Sequence, residues 1–402
     1  MKKVSAIVIL GILAAGFLAF WILPDRDRSQ MENRSLAQAP AVSARGYLDS
    51  SLRQDWEDYV ADQFPLRDDL LVLYRRLTAR GGVLPGARFR QVIEGNDGYD
   101  FYVFDENQIL KVWRGDKPEA EAAAWAEALD GAAAVCREQG IDLLLYLAPS
   151  KTEALQDLLP TGAVSDPDRA LWERIRSRMT EDLAVADAMA EFEKIPLAQK
   201  EELFYHTDHH WNHRGSYLGF EILCGALERR MGLSADVRGM DFIEYPLNQT
   251  SFVGSYNQNL GAIFSSEEEL AYENPRDLSR YDALTVEDRE GRLAWDDFYA
   301  TSTEGSYVSY ATMYMPDLPY LHIHNDAAPN DVTLCVVKDS YFNAILPQTA
   351  LLVSDLYVAD PRYDEDFVLA DFLEESGADG LLLFYSSTAL IKSEEMLQFD
   401  MR

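Results

Sequence analysis

Cysteine is scarce in this sequence, with only Cys136, Cys224 and Cys335 among 402 residues, each in an apolar stretch. An odd and sparse set does not form the disulfide framework of small secreted proteins, so we expect three buried thiols. Basic residues are also few, 36 Lys and Arg against 68 Asp and Glu, which gives a formal net charge of −32. A surface of this sign repels phosphate backbones and excludes nucleic acid as a partner.

One N-terminal segment lacks charge altogether, because residues 4–23 are twenty uncharged residues behind Met1-Lys2-Lys3. Twenty helical residues span the roughly 30 Å hydrocarbon core of a bilayer, and the lysines favour a cytoplasmic N-terminus. A cleaved signal peptide and a buried core helix are the alternatives, but a signal peptide has a shorter apolar region of ~7–15 residues. We therefore expect a transmembrane signal-anchor at 1–23, a stalk at 24–45 and a domain at 46–402. The domain is expected on the outer face of a bacterial, Gram-positive cell membrane.

Helices and strands alternate along much of the domain. The pattern predicts a helix at 118–139 closed by Gly140, and then a nearly continuous apolar strand at 141–148. Later in the chain it predicts strands at 332–337, 351–358 and 380–385, with helices at 341–349 and 367–375. This βαβαβ order indicates an α/β fold with a doubly wound, mostly parallel sheet. Residues 244–330 break the rhythm, and we interpret them as an insertion or lid.

Four of the six histidines, His206, His209, His210 and His213, fall within eight residues. A helix from Arg214 to Met231 follows, with Asn212 as its predicted N-cap. If residues 208–210 are extended, Asp208 and His210 face one side and His209 the other. A carboxylate beside an imidazole fixes its tautomer, as a general base requires. Two alternatives stay open: a metal site with His206, His209 or His210 and Asp208 as ligands, and a loop stabilised by hydrogen bonds alone.

Ser340 is the candidate nucleophile, because it follows the strand at 332–337 and begins a helix. Active sites of open α/β sheets form at this edge, and helical N–H groups there can bind an oxyanion. A serine at this place is also a common helix cap. The Gly-x-Ser-x-Gly elbow is absent, which disfavours the α/β-hydrolase fold.

The string Asp208-His209-His210-Trp211 resembles the motif of the DHHW family, whose members are SGNH-hydrolase-like and resemble the alginate O-acetylation proteins. Other motifs match in order: Glu32-Asn33-Arg34-Ser35-Leu36, Phe64-Pro65-Leu66-Arg67, Gly95-Asn96-Asp97-Gly98, Pro149-Ser150-Lys151, Leu159-Pro160, Lys338-Asp339-Ser340-Tyr341 and Asp360-Pro361-Arg362.

The resemblance implies Ser340 as nucleophile, His210 as base and Asp208 as the residue that orients the base. Weaker assignments to oxyanion or substrate binding are Asn343, Tyr341, Tyr256, Arg362, Lys338, His209 and Trp211. Asn257 and Asn259 are further options for an oxyanion donor. Lys338 departs from the family, because glycine usually stands two residues before the serine.

The resemblance further implies a serine esterase or O-acyltransferase that transfers acetyl groups on a cell-surface or exported polysaccharide, without a cofactor or metal. Its expected partners are that polysaccharide, the membrane and a multi-spanning membrane O-acyltransferase that delivers the acyl group. The alternative is a catalytically silent glycan-binding or scaffold component of a cell-envelope acylation machine.

Overall fold

The computed structural model describes residues 19–29, 34–40, 51–67, 70, 92–94, 99–102, 119–159, 167–234, 238–247, 252, 254–255, 268–293, 308–314, 317–364, 366–391 and 396–397. Most of the predicted anchor, residues 1–18, lies outside this set. Within it, no helix has the length and hydrophobicity that crossing a bilayer requires.

The chain divides into two compact units, and the first comprises Met1–Phe89 together with Asn257–Ser265. Its described part contains a two-stranded ribbon, β1 (Arg28–Ser29) and β2 (Arg34–Ser35), and helix α1 (Ser51–Asp62). Part of the predicted stalk is hydrogen-bonded to the end of α1, since the Asp62 carboxylate accepts from the backbone N–H of Ala37 at 2.9 Å. The division at 24–45 and 46–402 stays a prediction.

The second unit, Arg90–Tyr256 and Ser266–Arg402, is built on an eight-stranded mixed sheet. Its strands are β5 (Asp142–Ala148), β6 (Ala184–Asp187), β9 (Leu284–Asp288), β10 (Gly291–Leu293), β11 (Tyr320–Asn325), β12 (Asn330–Lys338), β13 (Val353–Ala359) and β14 (Gly380–Ser386). The spatial order is β10-β9-β11-β13-β12-β14-β5-β6. The strands from β13 to β6 are parallel, and the other three pair antiparallel. Two ribbons stand apart, β3 (Val92–Glu94) with β4 (Asp100–Tyr102) and β7 (Phe242–Pro246) with β8 (Ala271–Pro275).

Helices cover the two faces of the sheet. They are α2 (Glu119–Gln139), α3 (Lys151–Ala154), α4 (Pro167–Arg176), α5 (Ala188–Glu193), α6 (Leu197–Lys200), α7 (His213–Met231), α8 (Tyr310–Met313), α9 (Leu346–Ala350) and α10 (Leu369–Ser376). Apolar side chains of α7 belong to one buried cluster, and those of α2, α4 and α10 belong to a second one. Because both faces are covered, β14 is buried along its whole length, which explains its continuous apolar sequence.

The predicted α/β order is confirmed, with small shifts at the element boundaries. Gly140 and Gly232 end α2 and α7 with φ of 74° and 68°, a left-handed conformation that glycine adopts without strain. The predicted helix at 341–349 is divided into a 3₁₀ turn, Ser340–Ala344, and α9. Pro347 explains this division, because proline lacks the N–H that would continue an α-helix from the preceding turn.

The three cysteines are buried and unpaired, as expected. Burial raises the pKa of each thiol to about 12, so these residues act as small apolar side chains.

The stretch predicted as an insertion contributes to the sheet in its described part. Strands β9, β10 and β11 come from residues 244–330 and form its antiparallel end. A lid function for this stretch stays a prediction.

Candidate active site

The histidine-rich segment forms a loop between two bridged residues. Phe204 and Trp211 pair as an isolated antiparallel bridge, and the residues between them bend instead of continuing as a strand. Asn212 caps the helix that follows, since its side-chain oxygen accepts from the N–H groups of Arg214 and Gly215 at 3.0 and 3.1 Å. The predicted N-cap is confirmed, and the loop is held at both ends by regular structure.

This loop brings Asp208, His210 and Ser340 into one line of hydrogen bonds. His210 Nε2 lies 2.8 Å from Ser340 Oγ, and its Nδ1 lies 2.6 Å from Asp208 Oδ1. The Asp208 carboxylate and the His210 ring are buried, with 1% and 5% of these residues exposed. Residues separated by 130 positions thus adopt the relative geometry that a nucleophile, a base and an orienting acid require.

Asp208 is held ionised by its surroundings. Its Oδ1 also accepts from the backbone N–H of His210 at 2.9 Å, and its Oδ2 accepts from that of Ser255 at 2.6 Å. Burial alone raises the pKa of this carboxyl, but the attraction and hydrogen bonds of His210, aided by His209, hold it well below its usual range. The carboxylate therefore stays a hydrogen-bond acceptor and fixes the proton of His210 on Nδ1.

Gly254 makes the contact with Ser255 possible. A Cβ atom at this position would lie 2.0 Å from the carbonyl oxygen of Thr207, so only glycine permits the two backbones to approach so closely.

Tyr310 forms a wall of the site. Its ring stacks on the His210 ring, with centroids 3.6 Å apart and planes inclined by 3°. Its hydroxyl donates to the backbone carbonyl of Ser340 at 3.1 Å. The tyrosine lies in the segment interpreted as an insertion, and no pattern in the sequence singles it out.

Two buried charged side chains bind the backbone of the histidine-rich loop. The Lys151 ammonium donates to the backbone carbonyls of His206 and Asp208 at 2.6 and 3.1 Å. The Glu268 carboxylate accepts from the N–H groups of His206 and Thr207 at 3.1 and 2.9 Å. Lys151 lies in the Pro149-Ser150-Lys151 motif, which is the only sequence signal for this role.

Ser340 lies two residues after Lys338, the last residue of β12. Its neighbour Asp339 caps the 3₁₀ turn by accepting from the Tyr341 N–H at 2.9 Å. The other oxygen of this carboxylate accepts from the backbone and side chain of Ser386 at 2.7 Å each. Asp339 thus ties the ends of two parallel strands together and fixes the position of the serine.

Lys338, which stands where the family usually has glycine, forms buried ion pairs. The Lys338 ammonium, in a residue 2% exposed, lies 2.8 Å from both Asp317 and Asp360. Arg362 binds the same Asp360 at 2.6 Å, and Asn343 donates to Asp317 at 2.8 Å. Burial raises the pKa of Asp317, but Lys338 and Arg362 hold it well below its usual range. Binding roles for Lys338, Arg362 and Asn343 stay predictions.

The other predicted site residues lie around the loop. His209 is a third exposed, and its Nδ1 lies 2.8 Å from Ser255 Oγ. Its ring centroid is 3.8 Å from that of His210, so the two histidines do not face opposite sides, because the loop bends where an extended strand was predicted. The Tyr341 hydroxyl donates to the backbone carbonyl of His209. Trp211 is fully buried, and a Cβ on Gly219 of α7 would lie 2.6 Å from its ring.

Roles for His209, Tyr341 and Trp211 in binding a ligand stay predictions. Tyr256, Asn257 and Asn259 lie outside the described residues.

A metal ion is the alternative occupant of this loop. One ligand atom from each of Asp208, His209 and His210 lies within 4.8 Å of the others, while His206 faces Glu268 instead. Both ring nitrogens of His210 are already hydrogen-bonded, to Asp208 and to Ser340, which is the arrangement of a general base.

The fold and this constellation define an SGNH-hydrolase-like domain. Residues 92–296, just over half of the chain, match the family described as the SGNH hydrolase-like domain of the acetyltransferase AlgX. The chain belongs to this family. The match includes Asp208 and His210 and ends before Ser340. No curated protein sequence matches the chain significantly.

Solved structures show the same fold. PatB1 from Bacillus cereus, in a structure with a sulfonyl adduct, is 22% identical with a TM-score of 0.63 over 74% of this chain and 96% of its own. A second PatB1 structure is 24% identical with a TM-score of 0.61, over 68% and 92% of the two chains. A DHHW family protein from Eubacterium siraeum is 19% identical with a TM-score of 0.52, over 70% and 89%.

Proposed function

We propose that this protein is a membrane-tethered, extracytoplasmic serine esterase or O-acyltransferase that transfers acetyl groups on a cell-surface or exported polysaccharide. The observation that carries the proposal is the continuous hydrogen-bonded line from Asp208 through His210 to Ser340 at the carboxyl edge of the parallel strands. Membership of an acetyltransferase family supports the choice of acyl group.

In the first step, Ser340 Oγ attacks the carbonyl carbon of the acetyl donor while its proton passes to His210 Nε2. The tetrahedral intermediate collapses, the bond to the leaving group breaks, and His210 returns the proton to that group. In the second step a sugar hydroxyl, or water in an esterase, gives its proton to His210 and attacks the acetyl-Ser340 ester. Ser340 Oγ recovers the proton as the product leaves, so atoms and protons balance over the cycle.

The positive charge that His210 carries between these transfers has two stabilising neighbours. Asp208 accepts from its Nδ1 at 2.6 Å, and the face of the Tyr310 ring covers the imidazole at a centroid distance of 3.6 Å. An aromatic face attracts a cation, by about 0.5–2 kcal/mol depending on exposure.

The start of the 3₁₀ turn supplies a donor for the oxyanion. Among the described residues, none accepts from the backbone N–H of Ser340, which leaves it available to a developing negative charge on the substrate oxygen. Asn343 remains the proposed second donor.

The tether and the donor partner belong to the same proposal. Residues 4–23 would hold the domain near the outer leaflet, where a multi-spanning membrane O-acyltransferase could deliver the acyl group. The expectation comes from the uncharged segment and from the family resemblance.

The test compares the full-length chain in mild detergent with its Ser340→Ala variant on a chromogenic acetyl ester. Ser354→Ala is the matched control, because Ser354 is a half-buried serine whose hydroxyl donates to a backbone carbonyl of β12. We expect turnover in the wild type and control, and none above background in Ser340→Ala. Equal rates of ester hydrolysis in all three proteins would refute an esterase. Equal rates of acetyl transfer to an oligosaccharide acceptor in all three would refute a transferase.

The scaffold alternative depended on Lys338 in place of glycine and on an oxyanion asparagine that the sequence does not place. The ammonium of Lys338 is bound by Asp317 and Asp360, and the 2.8 Å contact between His210 and Ser340 coexists with it. The departure from the family pattern is therefore compatible with an active site.

A further inference from the structure

His213 is the one histidine of the clustered four whose described contacts lie apart from Ser340 and its surrounding loop. It is the first residue of α7 and is only 1% exposed. Its Nε2 lies 3.3 Å from Glu244 Oε1, while its Nδ1 is buried without a hydrogen-bond partner among the described residues. The ring therefore does not serve as a bridge between protein groups.

Two glutamates lie opposite one another beside this ring. Glu244 on β7 and Glu273 on β8 are direct cross-strand partners in the antiparallel ribbon. Like charges at directly opposite positions destabilise a ribbon, and the partial burial of Glu273 increases that cost. Burial and the charge of Glu244 raise the pKa of Glu273 to about 7, so either a proton or a bound cation relieves this repulsion.

Protein cations compensate only part of this charge. Arg214 binds Glu244 at 2.8 Å and Glu269 at 3.0 Å. Among the described residues, no side chain or backbone N–H donates to the carboxylate of Glu273. The side chain of Gln348 donates to the backbone carbonyl of Glu273 instead. The partly buried side chain of Glu273 thus faces a second carboxylate and an imidazole without a hydrogen-bond donor among the described residues.

We propose that His213, Glu244 and Glu273 bind a divalent transition-metal cation, such as Zn²⁺. One ligand atom from each residue lies within 4.8 Å of the other two. Ligands held at about 2.0–2.2 Å from one metal ion are separated by at most roughly 4.4 Å, so small side-chain movements complete the site. A nitrogen with two carboxylate oxygens suits Zn²⁺ or Mn²⁺, whereas Mg²⁺ and Ca²⁺ prefer oxygen ligands alone.

The ion would join elements that are distant in the chain. It would connect both strands of the β7–β8 ribbon to the first turn of α7, three residues after His210. The bound cation would therefore stabilise the folded state, and the three residues would form a structural metal site. Its existence does not depend on the proposed acetyl transfer, because binding is read from stability and not from activity.

The test is thermal unfolding of the full-length chain in detergent, after removal of metal with a chelator. Addition of Zn²⁺ at about a hundredfold excess over its Kd is expected to raise the Tm by roughly 2–5 °C, whereas Mg²⁺ at the same concentration does not. Glu273→Gln keeps the shape of the side chain and removes one charge. We expect this variant to match or exceed the wild-type Tm without metal and to lose the response to Zn²⁺.

A second histidine cluster provides the matched control. His322 Nε2 and His324 Nδ1 lie 2.8 and 2.9 Å from Asp355 Oδ1 on the surface of the sheet, and histidine pairs of this kind also attract Zn²⁺. His324→Gln should keep the Zn²⁺ response. A response that survives in Glu273→Gln, or that disappears in His324→Gln instead, would overturn the proposal. A wild type whose Tm does not respond to Zn²⁺ or Mn²⁺ would overturn it as well.

Discussion

The substitution Asp208→Asn changes a single atom in the centre of the proposed active site. The carboxylate accepts three hydrogen bonds, two from His210 and one from the backbone N–H of Ser255. An asparagine has one acceptor oxygen, so its NH₂ group must face one of these donors. If it faces His210 Nδ1, the ring takes the other tautomer and carries its proton on Nε2, toward Ser340.

The magnitude follows from the loss of the base. In that tautomer His210 donates to Ser340 and cannot accept its proton, and the imidazolium also loses its counter-charge. The corresponding change in serine proteases lowers kcat by about 10⁴, which is roughly 5 kcal/mol of transition-state free energy. The free energy of unfolding should fall by only about 1.5–3 kcal/mol, since one hydrogen bond to a charged acceptor is lost.

The assay measures acetyl-ester turnover and chemical unfolding on the same preparations. Asp187→Asn is the control, because Asp187 likewise accepts a backbone N–H, as the cap of α5, and binds Arg169 at 2.7 Å without contacting the site. We expect the control to lose stability and keep its turnover. An Asp208→Asn enzyme within tenfold of the wild-type rate would refute the orienting role of this carboxylate.

Substitutions at three other positions test the surroundings of His210. Tyr310→Leu removes the ring that covers His210 and should lower kcat about tenfold, while Tyr310→Phe should keep most of the rate; steady-state kinetics of both variants measure this. Lys151→Met leaves two backbone carbonyls of the loop without their donor, so we expect about 1–3 kcal/mol lower stability in urea unfolding and a kcat that falls more than KM changes. Hydrogen bonds from the loop hold the pKa of Glu268 below its ordinary value despite burial. Ionised Glu268 therefore stabilises the folded protein above about pH 4.5, and this contribution is lost as the pH falls. The Tm measured from pH 3 to 6 should depend less on pH in Glu268→Gln than in the wild type. An equal pH dependence in the two proteins would contradict this reasoning.

Much of the fold follows from local signals in the sequence. Gly140 and Gly232 mark helix ends, Asn212 caps α7, and the continuous apolar run of β14 indicates a strand covered on both faces. The antiparallel end of the sheet does not follow, because β11 pairs with β9 and with β13, and neither is its neighbour in the order of strands along the chain.

The candidate site could be predicted only in part for a similar reason. Asp208 and His210 are two residues apart, and a serine after a core strand is recognisable. Tyr310, Ser255 and Glu268 contact the loop through the tertiary fold alone, and a stacked ring or a backbone donor leaves no periodic pattern. The ion pairs of Lys338 could not be predicted from its motif, because its two carboxylate partners lie at positions 317 and 360.

The central claim is that Ser340 carries the acetyl group, and intact-protein mass spectrometry after brief incubation with an acetyl ester tests it most directly. The account predicts a gain in mass of one acetyl group, located on Ser340 by peptide mapping, that accumulates in the wild type and is absent from Ser340→Ala. An acetyl group on another residue, or equal acetylation of the Ser340→Ala variant, would contradict it.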